Sequence, residues 1–240
     1  MAVFAHISDI HIGATDQSVP RTERVLRHLN ELPGRLDAIL VTGDIADHAL
    51  PEEYEIARAL LKSDVPVIVC PGNHDQNPEA FTAALGPVNQ ALRLPDLTIA
   101  LADSSLPGRD DGYLGDEALA WLDEVLGERP DLPAFVGFHH PPIKLGVPYV
   151  DSIMLQAVER LEALLVRHAN VAGVLTGHAH TSASGTLAGL PVIVAPGVLS
   201  TGLTPVETSG RVPVSYDLPP AYALHVFEGG RLVTHFRPVL

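Results

Sequence analysis

Short apolar runs alternate with amphipathic stretches over most of the chain. The runs predict strands at residues 3–8, 38–42, 67–70, 98–102, 134–138 and 171–176. Between them, helical spacing predicts helices at 22–32, 51–62, 116–126 and 154–168. In the first of these Val25, Leu26, Leu29 and Leu32 share a face, and the second opens on Pro51, which suits a first turn. The last would stack Met154, Leu155, Val158, Leu161, Leu164 and Leu165. Beyond it the pattern becomes β-rich, with strands at 191–195, 221–227 and 231–237. Glu228-Gly229-Gly230 makes a hairpin turn between the last two. Residues 199–220, rich in Pro, Gly, Ser and Thr, read as a long loop.

Strands alternating with helices imply β-α units around a largely parallel sheet. The C-terminal hairpin adds antiparallel strands, so two packed sheets flanked by helices are expected. A length of 240 residues suits one domain spanning residues 1–240. In such folds sites form at the carboxyl ends of strands.

The polar residues fall at those ends. The first strand is followed by Asp9 and His11, the second by Asp44 and Asp47, the third by Asn73, His74 and Asp75. Two later strands end in His139-His140 and in His178 and His180. The strand at 98–102 departs, followed only by Asp103 and two serines. Six of the twelve histidines lie in these clusters. The others, His6, His28, His48, His168, His225 and His235, read as ordinary core or surface residues. So many polar groups gathered at one sheet edge need a compensating charge, and bound metal supplies it. The donors are imidazoles, carboxylates and one amide, with no thiolate, which suits Mn, Fe, Zn or Co. Seven ligands are on offer: Asp9, His11, Asp44, Asn73, His139, His178 and His180. Two divalent ions sharing one carboxylate would use them all, the arrangement that hydrolyses phosphate esters.

Bulk properties narrow the partners. The formal net charge is −14 and Lys62 and Lys144 are the only lysines, so a nucleic-acid polymer is disfavoured as substrate. No apolar run is long enough to cross a bilayer, and no membrane association is expected. The single cysteine, Cys70, sits in a strand and reads as buried and inert. The N-terminus enters a strand pattern directly, without a basic region and apolar stretch, so a cytoplasmic location is expected.

The motifs DIH (9–11), GDIAD (43–47), GNHD (72–75), HHPP (139–142) and GHAH (177–180), in that order, together resemble the calcineurin-like metallophosphoesterases. GYLGDEALAWL (112–122) and PPAYALH (219–225) are similar to the branch holding class III cyclic-nucleotide phosphodiesterases and glycerophosphodiesterases. The resemblance implies a four-layer α-β-β-α sandwich of two mixed sheets. It implies that Asp9, His11 and His180 hold one metal, that Asn73, His139 and His178 hold the other, and that Asp44 bridges them. It makes His74 the catalytic histidine and Asp47 its orienting carboxylate, with His140 behind the metals or facing substrate. The activity implied is hydrolysis of a small phosphodiester by a metal-activated hydroxide, and such relatives tend to form homo-oligomers. Purple acid phosphatases carry an iron-binding tyrosine where Asp47 stands, so tyrosinate-bound iron is not expected.

Competing readings are a phosphomonoesterase or nuclease on the same site, a catalytically silent metal-binding scaffold, and a structural metal site. The complete ligand set argues against the scaffold, and seven ligands exceed the four of a closed structural site. Asp75 is expected to tie its loop down through backbone hydrogen bonds, and Gly72 to permit a sharp turn. The segment 144–155 either overhangs the site, with Tyr149 and Asp151 facing substrate, or is a packing loop.

Overall fold

The computed structural model describes residues 1–210 and 212–240. The chain opens with β1 (Ala2–Ile7), α1 (Ser18–Asn30), β2 (Ala38–Thr42), α2 (Pro51–Leu60) and β3 (Val67–Cys70), two parallel crossovers in succession. Next α3 (Pro78–Leu85) leads to β4 (Gln90–Arg93), antiparallel to β5 (Thr98–Leu101). Helix α4 (Asp116–Glu128) returns the chain to β6 (Ala134–Gly137), and α5 (Pro148–Ser152) and α6 (Val158–Arg167) precede β7 (Val171–Thr176). A hairpin of β8 (Ala183–Leu187) and β9 (Leu190–Val194) follows. The short β10 (Thr201–Gly202) and β11 (Val214–Ser215) pair with each other, and β12 (Ala221–Glu228) and β13 (Arg231–Pro238) close the chain as a hairpin.

The strands form one sheet of order β13-β12-β1-β2-β3 and a second of order β4-β5-β6-β7-β9-β8. Each mixes parallel and antiparallel neighbours. Their inner faces meet in a core that includes Phe4, Leu40, Ile68, Ile99, Phe135 and Leu175. The outer face of the first sheet packs through Ile39 and Val41 on α1–α3 residues such as Val25, Leu29, Tyr54 and Phe81. The outer face of the second packs through Val136 and Val174 on Leu122, Leu126, Leu161 and Leu165 of α4 and α6. The result is the expected α-β-β-α sandwich.

Several elements differ from the sequence expectation. The helix expected over 154–168 begins only at Val158, after Ala157 in a left-handed conformation (φ 50°). Leu155, 2% exposed, bridges to Gly112, and its N–H donates to the Pro141 carbonyl. Those bonds, with Gly112 N–H donating to the Met154 carbonyl at 3.3 Å, keep Met154 and Leu155 out of the helix, although their spacing suits one. The first helix starts earlier, at Ser18, where the Ser18 hydroxyl accepts from Thr15 N–H at 3.2 Å. The stretch 199–220 is not all loop, since β10 and β11 pair within it. Helix α3, capped by Asn77, and the strands β4 and β8 have no counterpart among the expected elements.

Candidate metal centre

The carboxyl ends of the parallel strands of both sheets meet at one end of the sandwich. Ser8 bridges to Gly197, and Val198 and Leu199 donate to the Ser8 and Asp9 carbonyls at 3.0 and 3.1 Å. The Thr42 carbonyl, ending β2, accepts the Ser8 hydroxyl at 2.8 Å and His139 Nδ1 at 2.7 Å, tying one sheet to the other. Asp9 and His11 follow β1, Asp44 and Asp47 follow β2, Asn73 and His74 follow β3, His139 and His140 follow β6, and His178 and His180 follow β7. Asp9, His11, Asp44, His178 and His180 all adopt left-handed backbone, with φ between 43° and 67°. Non-glycine residues avoid this region, and such strain collects where structure serves function. It turns each side chain inward at the end of its strand.

The side-chain donors converge in two overlapping groups. In one, ligand atoms of Asp9, His11, Asp44 and His180 lie within 4.8 Å of one another. His11 Nε2 is 3.1 Å from His180 Nε2 and 3.5 Å from Asp44 Oδ2. In the other, His139 Nε2 lies 3.1 Å from Asn73 Oδ1, 3.1 Å from His178 Nδ1 and 3.3 Å from Asp44 Oδ2. One carboxylate oxygen, Asp44 Oδ2, therefore faces both groups. Ligands about 2.0–2.2 Å from a shared cation stand at roughly these separations from each other.

The outward ring atoms fix which nitrogens face inward. His11 Nδ1 donates to Asp47 Oδ1 at 2.9 Å and His139 Nδ1 donates to the Thr42 carbonyl, which turns Nε2 of each ring to the centre. His180 Nδ1 pairs with the Ser200 hydroxyl at 2.7 Å. Asp9 Oδ2 and His178 Nε2 are buried without a hydrogen-bond partner. Cations would compensate this buried cluster, so the residues fit metal ions. The buried groups perturb one another's protonation. Burial, reinforced by Asp44, pushes Asp9 up to about 6 despite His139. Burial also raises Asp44, but the His139 and His11 charges outweigh it and hold the carboxyl well below its usual range. Burial lowers His139, yet the Asp44 carboxylate wins and pushes it up to about 9. His178 and His180 are lowered by burial, His180 to about 4, and are neutral imidazoles.

Asp47 has two tasks. Its carboxylate lies 2.9 Å from His11 Nδ1 and 3.3 Å from His74 Nδ1, and its main-chain carbonyl accepts from His74 Nδ1 at 2.9 Å. It thus supports a ring of the centre as well as His74. These bonds push His74 up to about 10, the Asp47 side chain being the largest cause. Asp75 binds both neighbouring loops: Oδ2 accepts from Ile45 N–H at 3.0 Å and Gly72 N–H at 2.9 Å, and Oδ1 accepts from Ala46 N–H at 2.9 Å. Gly72 is required for close approach. A Cβ there would overlap Asp44 and stand 2.9 Å from His139 Nε2.

For two residues the sequence left alternatives open, and the structure places both away from the cavity. His140 lies behind the centre: it is fully buried, bonded through Nδ1 to Ser104 Oγ at 2.8 Å, with its ring 4.8 Å from that of His139. That gives the strand end lacking a histidine, at 103–105, a supporting place. Asp151 turns into its own loop, accepting from Leu145 N–H at 2.7 Å and Gly146 N–H at 3.2 Å, and is absent from the cavity lining. Tyr149 does line the cavity, a space of about 200 Å³ floored by His11, Asp44, Asn73, His74, His178 and His180. Sequence reasoning missed Ser200, Leu199 and Tyr216, which also line it, and Cys70 is buried as expected. Only its being the one aromatic residue between 199 and 220 hinted at Tyr216. Among the described residues no helix is long and apolar enough to cross a membrane.

Comparisons with known proteins identify the family. The chain is 34% identical to a glycerophosphodiester phosphodiesterase, GpdQ, of Enterobacter lignolyticus over 216 residues, 80% of this chain and 77% of that protein. It is 32% identical to a 3',5'-cyclic-nucleotide phosphodiesterase of Nostoc over 187 residues, 73% of this chain and 70% of that one. A dimetal phosphatase from Danio rerio superposes with a TM-score of 0.78 at 16% identity, covering 100% of this chain and 96% of the other, a likeness of fold. The model of the calcineurin-like phosphoesterases matches residues 2–182. With three-quarters of its length on that model and its centre at the strand ends, the chain belongs to the calcineurin-like phosphoesterase family.

Proposed function

We propose that the chain hydrolyses a small phosphodiester at a centre of two divalent cations. The observation that carries this reading is the convergence of seven N and O donors, with one Asp44 oxygen facing both groups and His11, Asp44, Asn73, His178 and His180 lining an open cavity. Asp9, His11 and His180 would hold one ion, Asn73, His139 and His178 the other, and Asp44 both. Bound ions would neutralise phosphoryl charge and acidify water.

The chain's own groups do the rest. His74 borders the cavity with its side chain 40% exposed and its Nδ1 engaged by Asp47. In the metal-free chain the Asp47 bonds push its pKa up to about 10, and with Nδ1 held by Asp47 its Nε2–H would be the donor for the leaving alkoxide. Asp47 holds that ring and the His11 ring together, so the acid stays registered on the centre. Among the described residues lining the cavity there is no lysine or arginine. That favours a substrate whose only anionic group sits on the centre, and disfavours a nucleic-acid polymer.

The test is metal analysis of purified protein, then turnover of 3',5'-cAMP, a glycerophosphodiester, a phosphomonoester and single-stranded DNA. Two divalent ions per chain and preference for a small diester are expected. Protein that holds its ions yet hydrolyses no diester would refute the reading and favour a silent scaffold.

A further inference from the structure

Beyond the metal floor, the cavity has walls that the proposed chemistry does not use. One wall is α5 and its flanks, contributing Tyr149, Val150 and Ile153. The other is the stretch 199–220, contributing Leu199, Val214 and Tyr216. A second groove, lined by Val147, Pro148 and Tyr149 from one side and Pro205, Thr208 and Pro213 from the other, shows these two segments facing each other. Tyr149 is 40% and Tyr216 53% exposed, so both rings leave apolar surface in water beside the site.

The second wall is anchored at its base. Arg21 of α1 is only 7% exposed and donates to three carbonyls: Nε to Val198 at 2.9 Å, Nη1 to Tyr216 at 3.2 Å and Nη2 to Leu218 at 2.6 Å. On its other side Tyr216 follows β11, which pairs with β10 through Thr201–Ser215 and Gly202–Val214. The main chain carrying this ring is therefore set before a ligand arrives, which reduces the ordering cost of binding.

We propose that Tyr149 and Tyr216 are specificity-determining residues that flank a planar, uncharged part of the substrate, a nucleobase, while the diester phosphate sits on the centre and a sugar alkoxide leaves. This rests on the phosphodiesterase reading and selects within it. A glycerol moiety has no flat face to offer these walls. A quaternary ammonium would want carboxylates or a fuller aromatic cage. Asp151 is engaged with the backbone at 145–146 and Glu207 with Thr204 N and Oγ1 at 2.8 and 2.7 Å, and Asp217, beside Tyr216, is absent from the cavity lining. Branched aliphatic side chains with two aromatic faces suit a base, which stacks without sequence-specific hydrogen bonds.

Two measurements on Mn²⁺-loaded protein test this. Calorimetry compares the Kd of 5'-AMP with that of glycerol 3-phosphate, and kinetics compare kcat/KM for 3',5'-cAMP with that for glycerophosphoethanolamine. Wild type is expected to prefer the nucleotide in both by about 10-fold or more, the worth of base stacking. Tyr149→Ala and Tyr216→Ala should each narrow both gaps, mainly through KM for cAMP, while Tyr149→Phe and Tyr216→Phe keep them. Equal Kd values in wild type, or gaps untouched by the alanine variants, overturn the proposal. So does a tyrosine-dependent preference for glycerophosphocholine, which would make the walls a cation site. Failure to hydrolyse either diester, with AMP still preferred in binding, ends the phosphodiesterase reading but leaves the base-binding walls standing.

Discussion

Replacing Asp75 by alanine tests how the two central loops are held together. Its carboxylate is 2% exposed and accepts three backbone N–H groups, from Ile45, Ala46 and Gly72. Ile45 follows Asp44 directly, and Gly72 precedes Asn73, so one side chain sets the spacing between residues proposed for both ions. Alanine leaves three buried donors unsatisfied, at about 1–3 kcal/mol each, or roughly 3–9 kcal/mol together. The wild-type carboxylate offsets part of this. Burial and Asp44 push it up to about 6, and a shift of that size costs the ionised form about 3 kcal/mol. Taken from both ends of that range it leaves roughly 0–6 kcal/mol, centred at about 3 kcal/mol, a large part of a typical domain's 5–15 kcal/mol. The assay is urea unfolding at pH 7.5, where Asp75 is ionised, with EDTA and with Mn²⁺. Asp75→Asn keeps one acceptor oxygen and should fall between wild type and alanine. Metal affinity should drop in the same order. An alanine variant within 1 kcal/mol of wild type with unchanged metal affinity would refute the reasoning.

Four further outcomes follow from the site. His74→Ala should keep its metal content and lose on the order of 10²–10⁴ in kcat/KM, whereas Asp44→Ala should lose both ions in metal analysis. Gly43→Ala should fail to bind metal, because its φ of 86° disfavours a side chain and the new Cβ would lie 2.7 Å from His139 Cγ; normal metal content would count against the packing argument. In metal-free protein His139 carries a proton up to about pH 9, which metal must displace; calorimetry in buffers of different ionisation enthalpy should show proton release at pH 7, and affinity should rise with pH until about 9 and level off above it. His74 in metal-free protein is raised to about 10, so it contributes stability below its unfolded value near 6.5 that is lost as pH rises through about 10; Asp47→Asn should bring its NMR titration midpoint down toward neutrality.

The sequence determined the order of strands and helices, because burial on two faces leaves local apolar runs and burial on one leaves helical spacing. It also marked the clusters at 9–11, 44–47, 73–75, 139–140 and 178–180, since residues at strand ends are neighbours of the turns that identify them. Where local pattern and long-range bonding disagreed, the pattern misled: Met154 and Leu155 have helical spacing, but Leu155 pairs with Gly112. Weakly patterned pieces such as β4, mostly half-buried, and β8, a short edge strand, left no clear trace.

Only the tertiary structure decided what each polar side chain does. His139 and His140 are adjacent in the chain, yet one ring joins the centre and the other is buried behind it against Ser104. Tyr149 lines the cavity while Asp151, two residues on, binds its own backbone. Arg21 and Tyr216 are 195 positions apart and meet through a single carbonyl. The reason is physical: periodicity records whether a position is inside or outside, over a few residues. The direction of a side chain at a strand end depends on backbone φ and on which distant loop closes against it, and no local pattern carries that information.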